Sequence, residues 1–304
     1  MAAKKQTTKP PKKASKPPHA EIGILGGTGL YEIDGIKNLK EVKLKTPFGA
    51  PSDAYVVGTL EGRKVAFLSR HGRGHRLLPI DINYRANIYG FKMLGVDRII
   101  SVNSCGSLKE EIRPRDIVFS DQFYDRTRRI NTFFGGGIAA HIGLAEPVCT
   151  DLAKFLYDTA VCLGVRAHLG GTYICIEGPA FSTKAESEIY RSWGCDVIGM
   201  TAATEAKLSR EAEICYATMN LATDYDVWHA EEEDVSVELI LANLKLNIDN
   251  AKAIIKKALA TLPVELKGPC DCHAALKNTI VTDPKLIPPA KKRQLRLIIG
   301  NYVK

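Results

Sequence analysis

The run Ile214-Cys215-Tyr216-Ala217-Thr218-Met219-Asn220-Leu221-Ala222-Thr223-Asp224-Tyr225-Asp226 decides the fold. Its first six residues are uncharged and largely apolar, which reads as a buried strand. Two carboxylates close the run where such a strand leaves its sheet. In open α/β sheets ligands bind in the crevice at these carboxyl ends. Two neighbouring acids repel each other unless a proton or a ligand's donors come between them. The end of this strand therefore reads as one pole of a binding site.

Outward from it, short apolar runs alternate with longer helical patterns, the signature of an α/β chain. Strands are expected at 21–25, 98–102, 117–120, 171–176 and 196–199, and a hairpin joins 54–57 to 65–68 around Glu61-Gly62-Arg63. Helices are expected over 81–94, over 150–163 with Thr150 as N-cap, over 201–212 and over 235–262. A further helix runs to Trp193, opened by the capping box Thr183-Lys184-Ala185-Glu186. No internal repeat or polar linker interrupts residues 21–262. The expectation is one domain over 21–265, a central mixed sheet flanked by helices. Residues 266–304 form an arm packing on that domain or on a neighbouring subunit.

The 304 residues are 45% hydrophobic and 25% charged, as in soluble globular proteins, and no apolar run is long enough to span a bilayer. The net charge of +8 is carried by the ends. Residues 1–20 hold six lysines and no acid, and residues 281–304 hold six basic residues against Asp283, so the body is mildly acidic at −3. A basic, nucleic-acid-binding core is excluded, and no specific nucleic-acid or membrane partner is expected. The Lys-, Pro- and Ser/Thr-rich stretch 1–20 cannot bury enough apolar surface to fold and reads as a disordered tail. It lacks the apolar segment of a secretory signal. Six of the eight cysteines, Cys105, Cys149, Cys162, Cys175, Cys195 and Cys215, are scattered through the chain as small buried hydrophobes would be. That usage fits a reducing, cytoplasmic compartment. Cys270-Asp271-Cys272 stands apart: with His273 it offers too few ligands for a metal, and a reducible disulfide is the other reading.

A second pole, for an anion, is spread over other strand ends. Gly26-Gly27-Thr28-Gly29 follows an apolar strand and can turn backbone N–H groups and a hydroxyl towards a phosphate. It is neither a P-loop nor a full dinucleotide fingerprint, which argues against a nucleotide-binding oxidoreductase. Ser69-Arg70-His71-Gly72-Arg73-Gly74-His75-Arg76 concentrates arginines and histidines after a strand, where guanidinium forks match tetrahedral oxyanions. Asn103-Ser104 and Met200-Thr201 add small donors. No metal-ligand set accompanies them, so phosphate is expected as a co-substrate without metal or cofactor. Between the poles, Phe181 after Glu177-Gly178-Pro179-Ala180 could stack on a planar heterocycle, and Met200 could lie against a sugar.

Together these motifs resemble the S-methyl-5′-thioadenosine phosphorylases of the purine nucleoside phosphorylase superfamily. The matching stretches are Gly26 to Leu30, Thr46-Pro47-Phe48-Gly49 with Pro51 to Asp53, Arg70 to Arg73 with His75, and Cys105 to Leu108. Asp121 to Phe123 with Asp125 to Thr127, Ala145 to Pro147, Ile176 to Pro179 with Phe181-Ser182, Met200-Thr201 and Ala222 to Asp226 follow in order. The resemblance covers roughly residues 21–262. It implies a phosphorylase/hydrolase-like fold and phosphorolysis of methylthioadenosine to adenine and 5-methylthioribose 1-phosphate. It also implies that Thr28, Arg70, His71, Asn103 (through its backbone), Ser104 and Thr201 hold phosphate. Phe181, Met200 and Tyr225 would line base and ribose, with Ser182 and Val237 setting specificity. Asp224 and Asp226 would address the purine and carry the catalysis. A homotrimer, possibly pairing to a hexamer, is implied, with His141 reaching a neighbour's site. Related enzymes that prefer 6-oxopurines carry an amide where Asp224 stands, so a purine nucleoside phosphorylase acting on such nucleosides, or on methylthioinosine, is the rival. The family pattern Met-Thr-x-x-Pro-Glu is broken by Thr204, which alters a helix's first turn and no ligand donor. The Cys270-x-Cys272 pair resembles one that some members carry as a disulfide.

Overall fold

The computed structural model describes residues 18–27, 30, 33–229, 237–263 and 270–303, and of residues 237–242 only the backbone. Eleven strands form one mixed sheet around β5 (Arg98–Ser107). The first half of β5 pairs in parallel with β1 (Ile22–Gly26), and its last residues pair antiparallel with β10 (Val197–Gly199). Along its other edge β5 pairs in parallel with β11 (Cys215–Asp224). From β1 the sheet continues through β4 (Arg63–Ser69) and β3 (Tyr55–Leu60) to β2 (Lys37–Val42). From β10 it passes to β9 (Thr172–Cys175) and β7 (Gln122–Asp125), and from β11 to β6 (Ile117–Phe119) and β8 (Ala167–Leu169). The strand expected at 98–102 is twice that long because β10 takes over the edge that β1 leaves.

Every residue of β11 is buried, the polar Thr218, Asn220, Thr223 and Asp224 included, as in a strand covered on both faces. Side-chain alternation divides the core. Leu25, Leu68 and Tyr216 face a cluster with residues of α1 (Tyr84–Met93) and α4 (Ala202–Glu211). Ile24, Phe67 and Ala217 face the opposite cluster, with residues of α2 (Thr150–Cys162) and α5 (Val237–Thr261). The capping box is present: Thr183 accepts from the Glu186 N–H and Glu186 accepts from the Thr183 N–H, opening α3 (Lys184–Ser192).

Several expectations are corrected. The helix expected from 81 is a short turn, Pro79–Asp81, followed by α1, because the Asn83 side chain accepts from the Ala86 N–H and caps a new start. Thr150 is the first residue of α2 rather than its cap; Cys149 holds that place and makes no side-chain cap. Ala20, assigned by composition to the tail, is fully buried, and its N–H donates to the Leu94 carbonyl at 2.8 Å. Residues 1–17, the body of that tail, lie outside the described residues. Cys162 is exposed rather than part of the core. The arm beyond residue 270 packs on its own chain: Leu276, Leu295 and Ile299, two of them around α6 (Pro289–Gln294) and α7 (Arg296–Ile299), join the cluster of α1 and α4.

Candidate active site

The carboxyl ends of β4, β5, β10 and β11 open into one cavity of about 370 Å³. Its walls bring together ten of the residues singled out in the sequence: Arg70, His71, Asn103, Ser104, Thr201, Phe181, Ser182, Met200, Asp224 and Asp226. Thr28 lies outside the described residues. Val237 opens α5, and its side chain is likewise not described. Leu244 of the same helix reaches the cavity. Tyr225 does not line it; the ring is buried against His229 and its hydroxyl donates to the Glu110 carbonyl at 3.3 Å. His141 is exposed, with its N–H bonded to the Thr279 carbonyl in a bridge to the arm, and is not part of the wall.

At one end the floor is a buried ion pair. Arg70 donates through Nε to Glu205 Oε1 and through Nη2 to Glu205 Oε2 at 3.1 Å. It also donates to Ser101 Oγ at 2.7 Å and to the Val102 carbonyl at 3.0 Å. Burial works against the guanidinium charge, but the Glu205 carboxylate more than offsets it and raises its pKa. Ser101 and Tyr216 hydroxyls complete the coordination of Glu205, at 2.8 and 3.0 Å. Arg70 thus directs its donors to the protein, and the Glu205 carboxylate balances its charge beneath the cavity.

Above that floor, the donors left for an anion are backbone and hydroxyl groups. Thr201 is the N-cap of α4 and lines the cavity, no side chain caps this helix, and its first-turn residues Ala202 to Thr204 are fully buried beneath the wall. The Ser104 side chain is exposed and makes no hydrogen bond among the described residues. Asn103 is engaged elsewhere: Oδ1 accepts from the Thr201 hydroxyl at 2.7 Å, and Nδ2 donates to Thr218 Oγ1 at 2.8 Å. His71 Nδ1 donates to the Leu77 carbonyl at 2.8 Å. Burial first, then the nearby Arg70 charge, lower its pKa to about 4, so the ring is neutral and Nε2 is a lone-pair acceptor.

The opposite end carries the acids. Asp224 ends β11; its Oδ2 accepts from the Thr223 hydroxyl at 2.6 Å and its Oδ1 from the Asp226 N–H at 2.9 Å. Burial pushes its pKa up to about 6 despite these two bonds. Burial also raises Asp226, whose Oδ2 has no hydrogen-bond partner among the described residues. Asp226 sits at φ +51°, the left-handed conformation that aspartate tolerates at a turn, and this re-aims its carboxyl after the strand. Gly106 of β5 makes room for the pair: a Cβ there would stand 2.9 Å from Asp224 Oδ1 and 3.3 Å from Asp226 Cβ. On α5, Asn243 and Asn247 donate to the carbonyls of Thr223 and Ala222 at 2.6 and 2.9 Å and hold the strand end in place.

Phe181 stands at the mouth, 47% exposed, as a platform would. Arg129 braces the loop below it, pairing with Glu177 Oε1 at 2.8 Å and donating to the Met200 carbonyl at 2.5 Å. Glu205, Asn243, Asn247 and Arg129 were not singled out in the sequence. Only Glu205 carried a signal: it is the acid that closes the family pattern Met-Thr-x-x-Pro-Glu, and a buried acid must find a cation.

The sequence pattern of the phosphorylase superfamily matches residues 21–260. An S-methyl-5′-thioadenosine phosphorylase of Koribacter versatilis is 57% identical, over 93% of this chain and 97% of its own length. One of Geobacter sulfurreducens is 56% identical over 93% and 99%. By these matches the chain belongs to the S-methyl-5′-thioadenosine phosphorylase family of that superfamily. Solved structures agree. A methylthioadenosine phosphorylase from an antarctic soil metagenomic library superposes with a TM-score of 0.88 at 45% identity, over 92% of this chain and 99% of that one. The Schistosoma mansoni methylthioadenosine phosphorylase in complex with adenine gives 0.78 at 32%, over 86% and 99%.

Breaking a buried pair by removing one charge strands the other. Glu205→Gln is expected to cost about 3–5 kcal/mol of stability, measured by denaturant unfolding; a loss below about 1 kcal/mol would show that the pair does not brace the floor.

Proposed function

We propose that the chain is a pentosyltransferase that cleaves S-methyl-5′-thioadenosine with inorganic phosphate, giving adenine and 5-methylthioribose 1-phosphate, without metal or cofactor. The observation that carries this reading is the acid pair at the end of β11 facing, across one cavity, Thr201 and a Ser104 hydroxyl that has no partner among the described residues. A nucleoside laid between them puts its base on the acids and its sugar beside the anion.

Glycosidic cleavage develops positive charge on the sugar and negative charge on the departing purine. Phosphate held by Ser104, Thr201 and the glycine turn at Thr28 stabilises the first charge and attacks C1′. The Arg70–Glu205 pair fixes the floor beneath the anion, and neutral His71 can accept a hydrogen bond from a protonated phosphate oxygen. The second charge is relieved by a proton. Asp224, raised by burial to about 6, is the better donor to N7, and Asp226 with its unpartnered oxygen accepts from the 6-amino group. Phe181, Ser182 and Met200 hold base and ribose, and Leu244 with the start of α5 at Val237 receives the methylthio end.

An assay with methylthioadenosine, adenosine and inosine, with and without phosphate, tests the reading. Base is released only with phosphate and fastest from methylthioadenosine. Asp224→Asn lowers kcat/KM for the adenine nucleosides by about 10²–10⁴-fold, the range of general acid catalysis, and turns preference towards inosine. Unchanged base selectivity would sink the assignment.

The folded pKa of Asp224 lies above its ordinary 3.8. The carboxyl therefore costs the fold nothing at low pH, loses it stability between 3.8 and about 6, and adds no further cost above. The donor form is the one lost as pH rises. At saturating phosphate, kcat/KM for the nucleoside is expected to fall through about pH 6, with that limb absent in Asp224→Asn; a flat wild-type profile across this region contradicts a proton on Asp224.

The assembly is proposed to be a homotrimer in which exposed His141 of one chain completes a neighbour's site. Light scattering should give three chains, or six if trimers pair. Mixing inactive Asp224→Asn with impaired His141→Ala should restore activity; no recovery in exchanged mixtures argues against sharing.

A further inference from the structure

Four thiols meet at the end of β11 remote from the cavity. Cys149 precedes α2, Cys215 opens β11, and Cys270 and Cys272 come from the arm, yet all four Sγ atoms lie within 4.8 Å of one another. Cys270 Sγ is 3.7 Å from Cys149 Sγ and 3.5 Å from Cys215 Sγ. Three of the four are buried and Cys270 is half-buried, and all are free thiols.

Tetrahedral zinc bonded to thiolates at about 2.3 Å holds its sulfurs roughly 3.8 Å apart. The spacings of 3.5 and 3.7 Å fall just below that value, and no pair of the four sulfurs is more than 4.8 Å apart. They are too short for the cysteines of an iron–sulfur cluster, which must span several irons and sulfides. Soft thiolates favour zinc over magnesium or calcium, which take oxygen ligands. The surroundings suit a site of net charge 2−, formed as the four thiols release their protons to solvent. Arg210 Nη1 lies 3.3 Å from Cys272 Sγ, and its other nitrogen donates to the carbonyls of Glu146 and Val148, fixing the turn that presents Cys149. His273 Nε2 lies 3.4 Å from Cys215 Sγ.

We propose that Cys149, Cys215, Cys270 and Cys272 form a closed structural zinc site that clips the C-terminal arm to the sheet. The pair Cys270-Asp271-Cys272 offered too few ligands in sequence because its partners lie 55 and 121 residues away. The role is structural: Cys215 and Asp224 begin and end β11, about 30 Å apart at roughly 3.3 Å per residue.

The full-length protein, purified reduced and without chelator, is analysed for zinc by mass spectrometry and, after exchange with cobalt, by visible absorption. About one zinc per chain and the bands of tetrahedral thiolate-bound cobalt are expected. Cys270→Ser should lose the metal and the bands, whereas Cys162→Ser, outside the cluster, keeps both. If Cys270→Ser does not fold, the wild-type cobalt spectrum still decides. Wild-type protein that takes up neither metal with all four thiols reduced overturns the proposal, as does a mass short by two or four hydrogens, which marks disulfides instead.

Discussion

The interaction on which the site rests is the buried pair of Arg70 and Glu205. Arg70 belongs to the end of β4 and Glu205 to the first turn of α4; Ser101 of β5 bonds both, Val102 of β5 bonds Arg70, and Tyr216 of β11 bonds Glu205. A charge this deep is tolerable only when its counter-charge and hydrogen bonds are all in place. Satisfying it fixes the helix that presents its N-terminus to the cavity against the strands that carry Ser104 and Asp224. The cost of burying the pair is offset by positional accuracy at the place where a small anion must be held.

Above that pair the polar network runs across the sheet. The Thr201 hydroxyl donates to Asn103, Asn103 to Thr218, Thr218 to Asn220 at 2.9 Å, and Asn220 to Ser120 at 3.0 Å. Each of these donors finds an acceptor, so the side chains below the cavity are locked, while the Ser104 hydroxyl, without a partner among the described residues, is left for a ligand. The acidic end is built differently. Its groups are desolvated, and one Asp226 carboxylate oxygen has no partner among the described residues, so a ligand with donors gains most there. The cavity is therefore polarised by what the fold leaves unsatisfied as much as by formal charge.

Much of this was legible in the sequence. The largely apolar start of β11 points to a central strand, and carboxylates at the end of such a strand point to the crevice. The capping box of α3 was legible because its signal is local. Other features were not, for particular reasons. β2 reads Lys37-Asn38-Leu39-Lys40-Glu41-Val42, and its polarity is that of an exposed edge strand, which carries no apolar signature. β7 and β8 are short strands whose pairing is decided by their neighbours. Tyr225 lies between two site aspartates, but successive residues leaving a strand point opposite ways, so proximity in sequence misplaced it. Asn243 and Asn247 lie in a long amphipathic helix, and nothing local marks which carbonyls they will serve. The gathering of Cys149 and Cys215 with the arm is a property of the folded chain alone.

Helix α5 has a double engagement. Asn243 and Asn247 hold the last carbonyls of β11, and Leu244, between them in sequence, touches the cavity. The helix is thus a lever with one arm on the occupant and the other on the strand end that bears Asp224. An occupant that presses or fails to fill the Leu244 wall displaces the same turn that sets the height of the acid. Discrimination at the apolar end is thereby transmitted into turnover as well as into binding.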